Sequence, residues 1–227
     1  MTKEKSYTKK YLSTNETFPS VISLKFFLGK NPKLNFKKTY WANKKICEIG
    51  FGDGRDLNLF SFLNMKVYGV EPNQEVVNHT KLKFLSNGIS LNLKKGTNIN
   101  TGFKNEFFDV VFSSGSVYYL PSLEFSINDA LQEANRILKK NGLFFSTFAA
   151  KGTHTSIGSE KIDNNKIILK DSFYKLREGQ CYHIYNNKKE ILNDFKKNGF
   201  KVIYIGNYKV DWFGTYEKLF VVAATKV

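Results

Sequence analysis

The sequence predicts an α/β fold: a doubly wound, mostly parallel seven-stranded sheet with an antiparallel C-terminal strand. Three observations carry that expectation. From about residue 45 onward, short apolar runs alternate with longer amphipathic ones, the pattern of strand-helix-strand units. Several of those runs are apolar without alternation, as strands covered on both faces must be. The last two runs lie too close together for a helical crossover, so they are expected to pair antiparallel at one edge.

In chain order, residues 1–40 form a basic, aromatic-containing lead-in with one helix expected around 20–30. Strands follow at KICEI (45–49), KVYGV (66–70), SLNLK (90–94), FDVVFS (108–113), GLFFSTFA (142–149), KVIYI (201–205) and KLFVVAATK (218–226). Helical spacing of apolar residues marks 55–63, 74–85, 123–138 and 188–198, as with Ala130, Leu131, Ala134 and Leu138. Asn141-Gly142 and Asn198-Gly199 tolerate positive φ and punctuate two helix ends. The segment YKVDWFGTYE is read as the connector between the last two strands. Residues 151–183 interrupt the pattern after the fifth strand. The expected organisation is one domain over 1–227, with a core of 41–150 and 184–227. The lead-in and the insertion are placed over the carboxyl ends of the strands, where ligands bind in open α/β sheets.

Composition narrows the function classes. A chain of 227 residues that is 41% hydrophobic and 15% aromatic can bury a sizeable core. The opening MTKEKSYTKKYL lacks the apolar stretch of a secretory signal, and no run approaches the roughly 20 apolar residues that cross a bilayer. A soluble, cytoplasmic protein without a membrane partner is expected. Cys47 and Cys181 stand far apart, outside any Cys/His cluster, so free thiols are expected and no metal site. The net charge of +15 would attract nucleic acid, anionic lipid or an acidic substrate. Yet only Arg55, Arg136 and Arg177 offer the planar guanidinium that nucleic-acid surfaces favour, and the remaining cations are dispersed lysines.

The chemistry concentrates in KICEIGFGDGRDLNLF, where a buried strand runs into Gly50, Gly52 and Gly54 and then into a helix. The backbone there turns tightly and can lie directly against a small molecule. Arg55 stands where a dinucleotide fingerprint requires its third glycine, so the spacing fits a nicotinamide site poorly. Downstream, VYGVEPN places Glu71 at the end of the second strand, and an ionised carboxylate has the two acceptor oxygens that suit a vicinal diol. Pro72 is read as opening the next helix.

These residues resemble the first two motifs of the class I S-adenosylmethionine-dependent methyltransferases, which fold as Rossmann-like sheets. The stretch KGTNINTGFKNEFFDVVFSS at 95–114 is similar to that family's third landmark, with Phe103, Phe108 and Asp109 in register. Thr97 stands at the usual aspartate position, so Asn98 is expected to accept the adenine amine through its amide oxygen. ALQEANRILKKNGLFFSTF from Ala130 to Phe148 matches the family's helix and fifth strand, and Glu133 and Arg136 pair on one helix face. The resemblance implies S-adenosylmethionine as cofactor, held by Glu48, Gly50, Gly52, Gly54, Arg55, Glu71, Pro72, Thr97, Asn98 and Ser113. Nothing except ligand contact is seen to require Gly50, Gly52, Gly54 and Glu71 together.

Methyl transfer rests mainly on positioning, and a hydroxyl or ammonium acceptor also needs a base. Among the three histidines, His79 is read as an exposed helix residue, while His154 and His183 bracket the insertion. His183, within CYHIY, and Tyr118, after the fourth strand, are the candidate catalytic residues. No N-P-P-Y tetrapeptide follows the fourth strand, where SSGSVYYL stands instead. The resemblance to enzymes that methylate DNA adenine or protein glutamine is thus absent, and a small-molecule acceptor is expected; the lead-in with Phe18-Pro19 and EIGFGDGRDLNLF resembles small stand-alone bacterial methyltransferases, which implies a sugar or natural-product intermediate methylated on O or N. The alternatives are an RNA methyltransferase drawn by the basic surface and a non-catalytic cofactor-binding module.

Overall fold

A computed structural model describes residues 11–12, 18–170 and 177–227. Parts of the expected lead-in (1–10 and 13–17) and of the insertion (171–176) lie outside the described residues. The seven-stranded sheet comprises β1 (Lys45–Ile49), β2 (Lys66–Glu71), β3 (Asn92–Lys95), β4 (Phe108–Ser113), β6 (Leu138–Ala149), β10 (Phe200–Trp212) and β11 (Thr215–Lys226). Its order is β10-β11-β6-β4-β1-β2-β3. Every pairing from β6 to β3 is parallel, and β11 runs antiparallel to both β6 and β10. The expected edge hairpin is thus present, with β11 as an inner strand and β10 at the edge.

Helices α1 (Val21–Leu28), α2 (Arg55–Phe62) and α3 (Gln74–Ser86) cover one face, and α4 (Ile127–Ile137) and α5 (Lys188–Lys197) the other. Strand alternation divides the core: Ile46, Val110 and Phe145 face α1–α3, while Cys47, Val111 and Phe144 face α4 and α5. Phe26 of α1 lies 3.9 Å, ring centre to ring centre, from Phe145, and Trp41 donates its indole N–H to the Phe27 carbonyl at 2.9 Å. The amino end of α1 is fastened to the core as well. Asp56, in the first turn of α2, accepts from the Ser20 amide at 2.8 Å and the Ser23 hydroxyl at 2.5 Å. Both cysteines are buried free thiols.

Several boundaries move from their expected places, each for a local reason. Helix α4 starts at Ile127 rather than 123, because Ser126 and Asp129 form a reciprocal capping box. Leu138 opens β6, whose first residues bulge past β4 with Asn141 at φ +62°, so Asn141-Gly142 lies inside a strand. Asn73, not Pro72, caps α3: its side chain accepts from the amides of Glu75 and Val76. YKVDWFGTYE is mostly strand, because Phe213 and Gly214 close the hairpin as a two-residue turn with both φ positive.

A second sheet of four short strands, ordered β5-β9-β8-β7, was not anticipated. It joins β5 (Tyr119–Leu120) to β7 (Glu160–Lys161), β8 (Lys166–Ile168) and β9 (Cys181–His183). It links the segment after β4 to the segment after β6, at the carboxyl ends of those strands. Among the described residues, no helix is long and apolar enough to cross a membrane, and no group of His, Cys, Asp and Glu could hold a metal ion.

Candidate functional site

Strand order reverses between β1 and β4, and the loops after those two strands meet at their carboxyl ends, where such sheets bind ligands. Gly50, Gly52 and Gly54 take φ of +75°, +52° and +78°. A Cβ on Gly50 would fall 2.4 Å from that of Ser116, and one on Gly52 would fall 2.8 Å from the Tyr11 ring. The glycines are therefore required by the protein's own backbone and neighbours as well as by whatever approaches the loop. Gly54 caps α2 in the left-handed conformation.

The loop is tied down at each residue. Gly50 donates to the Val70 carbonyl at 2.8 Å, Thr80 Oγ1 donates to the Gly52 carbonyl at 3.2 Å, and Lys83 Nζ to the Asp53 carbonyl at 2.8 Å. Glu71 sits at the end of β2 as the sequence places it, with Oε2 accepting the Gly52 amide at 3.2 Å. Burial lifts its carboxyl to about 7, against the pull of the backbone amides of Gly52 and Asn73.

Around this loop, Glu48, Asp53, Asp56 and Glu71 are all buried. Burial first, then the carboxylates of Asp56 and Asp53, push Glu48 well above the ordinary range, and its Oε2 has no hydrogen-bond partner. Arg55 answers Asp53 alone, as a two-point pair at 2.7 and 3.1 Å, so its guanidinium is committed to the protein. The result is a loop ringed by buried carboxyl groups, two of which, Glu48 and Glu71, burial holds towards the protonated form.

The other expected contacts sort by what they already bind. Asn98 spends both amide hydrogens on the carbonyls of Val117 (2.8 Å) and Tyr119 (2.7 Å), which leaves its oxygen as the group it can offer a ligand. Thr97 holds a turn instead: its Oγ1 accepts from the Asn100 amide at 3.1 Å. Ser113 is buried and shares a 2.6 Å hydrogen bond with Ser116. Pro72 is exposed, ahead of the α3 cap. Glu133 and Arg136 pair as expected at 2.7 Å, and Glu133 also accepts from the Thr101 amide and hydroxyl.

Beyond the loop, Tyr118 is buried; its ring centre lies 5.1 Å from that of Tyr119 and 5.3 Å from that of Tyr182. Burial pushes its phenol well above the usual value. Sequence reasoning missed Tyr11, Arg177 and Tyr182. The Arg177 guanidinium lies 4.1 Å over the Tyr119 ring and donates at 3.4 Å to both the Tyr182 and the Tyr11 hydroxyls. Residues of the lead-in and of the insertion thus meet over Gly52. The available signal was strand alternation in CYHIY, which puts Tyr182 and His183 on opposite faces.

His183 accordingly points elsewhere. It is buried, its ring lies 4.4 Å from that of Tyr185, its Nε2 lacks a partner, and desolvation lowers it to about 4 although Asp163 and Glu190 act to raise it. His154 lies beside β11, with Nδ1 3.2 Å from the Tyr216 carbonyl. His79 is half-buried rather than exposed.

Comparison with known proteins places this geometry. Residues 47–146 match the family described as a methyltransferase domain. No curated protein matches the sequence. Among solved structures, an S-adenosylmethionine-dependent methyltransferase from Methanosarcina mazei is 18% identical with a TM-score of 0.66, over 82% of this chain and 93% of that one. A protein from Pyrococcus horikoshii is 17% identical with a TM-score of 0.64, over 90% and 88%. An S-adenosylmethionine-dependent methyltransferase from Mesorhizobium loti is 11% identical with a TM-score of 0.63, over 84% and 94%. Residues 47–146 thus match a methyltransferase domain, and the chain shares the fold of these S-adenosylmethionine-dependent methyltransferases.

Proposed function

We propose that this methyltransferase acts on a small-molecule acceptor, a sugar or natural-product intermediate, at an oxygen or nitrogen atom. The observation that carries the proposal is the cover on Gly52, where the Tyr11 ring packs on the loop and Arg177 joins it to Tyr182 and Tyr119. An aromatic cover of that kind suits a compact acceptor better than a polymer. All three arginines have protein partners, Arg55 on Asp53, Arg136 on Glu133 and Arg177 on tyrosines, which weighs against phosphate clamping of RNA.

Bound S-adenosylmethionine supplies an electrophilic methyl group on a sulfonium. The chain's own residues would hold and orient it: Glu71 for the ribose hydroxyls, the 50–54 loop and Glu48 for the amino-acid end, and the Asn98 amide oxygen for adenine, with Ser113 nearby. Catalysis is then mostly alignment of the acceptor and exclusion of water by the tyrosine wall. Tyr118 lines that wall, and we assign it the acceptor side. Burial keeps Tyr118 a neutral phenol, and His183 is inward-turned and weakly basic, so neither is assigned the part of general base. The lead-in and the 151–183 insertion act as its cover.

The test is transfer of labelled methyl from S-adenosylmethionine to panels of amines, phenols, sugars and carboxylic acids, with RNA alongside. Incorporation into a small acceptor supports the proposal. Incorporation into RNA alone would replace it with a nucleic-acid substrate.

A further inference from the structure

We propose that the tip of the β10–β11 hairpin is a surface anchor that docks the protein on anionic lipid. Leu219 pairs with Ala149, the last residue of β6, so the hairpin from Tyr208 to Lys218 runs on past the carboxyl end of the sheet. Its base is held there by Thr153, whose Oγ1 accepts the Lys218 amide at 3.1 Å. At the tip, Trp212 is 56% exposed and Phe213 is 103% exposed. Ile157, beside His154, adds a third exposed apolar side chain on the same end of the molecule.

Two features of this tip work against the stability of the isolated protein. Phe213 has φ +53°, a turn position that asparagine or glycine fills at little cost and a bulky residue does not. Lys209 lies directly opposite Lys218 across the ladder, and Lys218 Nζ reaches the Lys151 carbonyl, so like charges are gathered where they repel. The neighbouring acids offset them only in part: Asp211 accepts the Gly214 amide at 2.9 Å, and Glu217 is half-buried on the other face of the ribbon. An anionic bilayer surface answers both features. The aromatic pair enters the headgroup region, and the lysines reach lipid phosphates with the chain's net charge of +15 behind them.

Single-stranded nucleic acid would use the same charge but needs a cationic groove with stacking faces along it, whereas this tip is convex. Docking brings the end of the sheet that carries the glycine loop to the lipid surface. The inference does not depend on which acceptor is methylated, and its test involves no methyl transfer.

The two tryptophans are Trp41, fully buried, and Trp212, so a fluorescence change on vesicle addition reports the tip. The full chain is titrated with vesicles of neutral phosphatidylcholine, alone or with roughly 30 mol% phosphatidylglycerol. A blue shift with the anionic vesicles, reversed by salt, is expected. Phe213→Gly keeps a conformation glycine adopts freely, so its melting temperature should hold or rise while vesicle affinity falls about tenfold. The proposal is overturned if anionic vesicles cause no shift, if Phe213→Gly binds them like the parent, or if charge-matched polyuridylate shifts Trp212 and vesicles do not.

Discussion

Replacing Glu71 by glutamine should make the unliganded protein more stable and the cofactor complex weaker. Glu71 is 5% exposed, and burial carries its carboxyl from the ordinary 4.5 to about 7. A folded-state pKa above the unfolded one means that the contribution is most favourable below pH 4.5 and is lost as pH rises through 7. The difference amounts to about 3 kcal/mol at pH 8. Glutamine escapes that cost and can still accept the Gly52 amide, so Glu71→Gln should melt roughly 5–10 °C above the parent at pH 8 and near it at pH 5. The parent itself must ionise Glu71 to accept two hydroxyls. Its affinity for S-adenosylmethionine should therefore fall about tenfold from pH 8 to pH 6, with proton release on binding. Calorimetry in two buffers of different ionisation heat, beside thermal melts, reads both effects. Equal melting at pH 8, or a glutamine variant that binds cofactor as tightly as the parent with an unchanged pH profile, would refute the role given to Glu71.

Three further outcomes are expected. Gly52→Ala should cost about 1–2 kcal/mol from its φ of +52°. The clash with Tyr11 adds to that, so Tyr11→Ala in the same chain should restore part of the loss in urea unfolding. Asn98→Asp should destabilise by about 2 kcal/mol, because it sets a carboxylate against the carbonyls of Val117 and Tyr119. A chemical-denaturation midpoint unchanged from the parent would show that those hydrogen bonds contribute nothing. His183, lowered from 6.5 to about 4, favours folding above pH 6.5 and loses that contribution as pH falls towards 4, about 3 kcal/mol in all. His183→Phe should therefore flatten the melting curve between pH 4.5 and 7 while methyl transfer at pH 8 persists; loss of transfer with an unaltered fold would return His183 to the site.

The strands that sit between neighbours on both sides and helices on both faces were legible because nearly all their residues obey one demand. Ile46, Cys47 and Ile49, or Val110 through Phe112, are apolar whichever face they meet, and Glu48 stands out as the exception. What escaped reading depends on contacts between distant segments. The four-stranded sheet is built from pieces two or three residues long, too short for any period to register. The long hairpin was hidden by its turn, since Phe213 fills the first of two positive-φ positions where asparagine, aspartate or glycine ordinarily stands. At the site, the glycine loop and Glu71 were readable from their order along the chain. Arg177 and Tyr11 were not, for they are 166 residues apart and meet only because the lead-in and the insertion cross the same loop. Chemistry alone singled out His183; the strand's alternation turns Tyr182 to the other face.

The place of β11 sets the order in which the sheet can be completed. It lies between β6 and β10, yet it is made after both, and after the insertion and α5. Until then the outer edge of β6, with Phe144, Phe145 and Phe148, has no strand to pair with, and β10 has no strand beside it. The nascent chain therefore carries a bare apolar edge until β11 is made, the period in which it is most open to pairing with other chains and to capture by a chaperone.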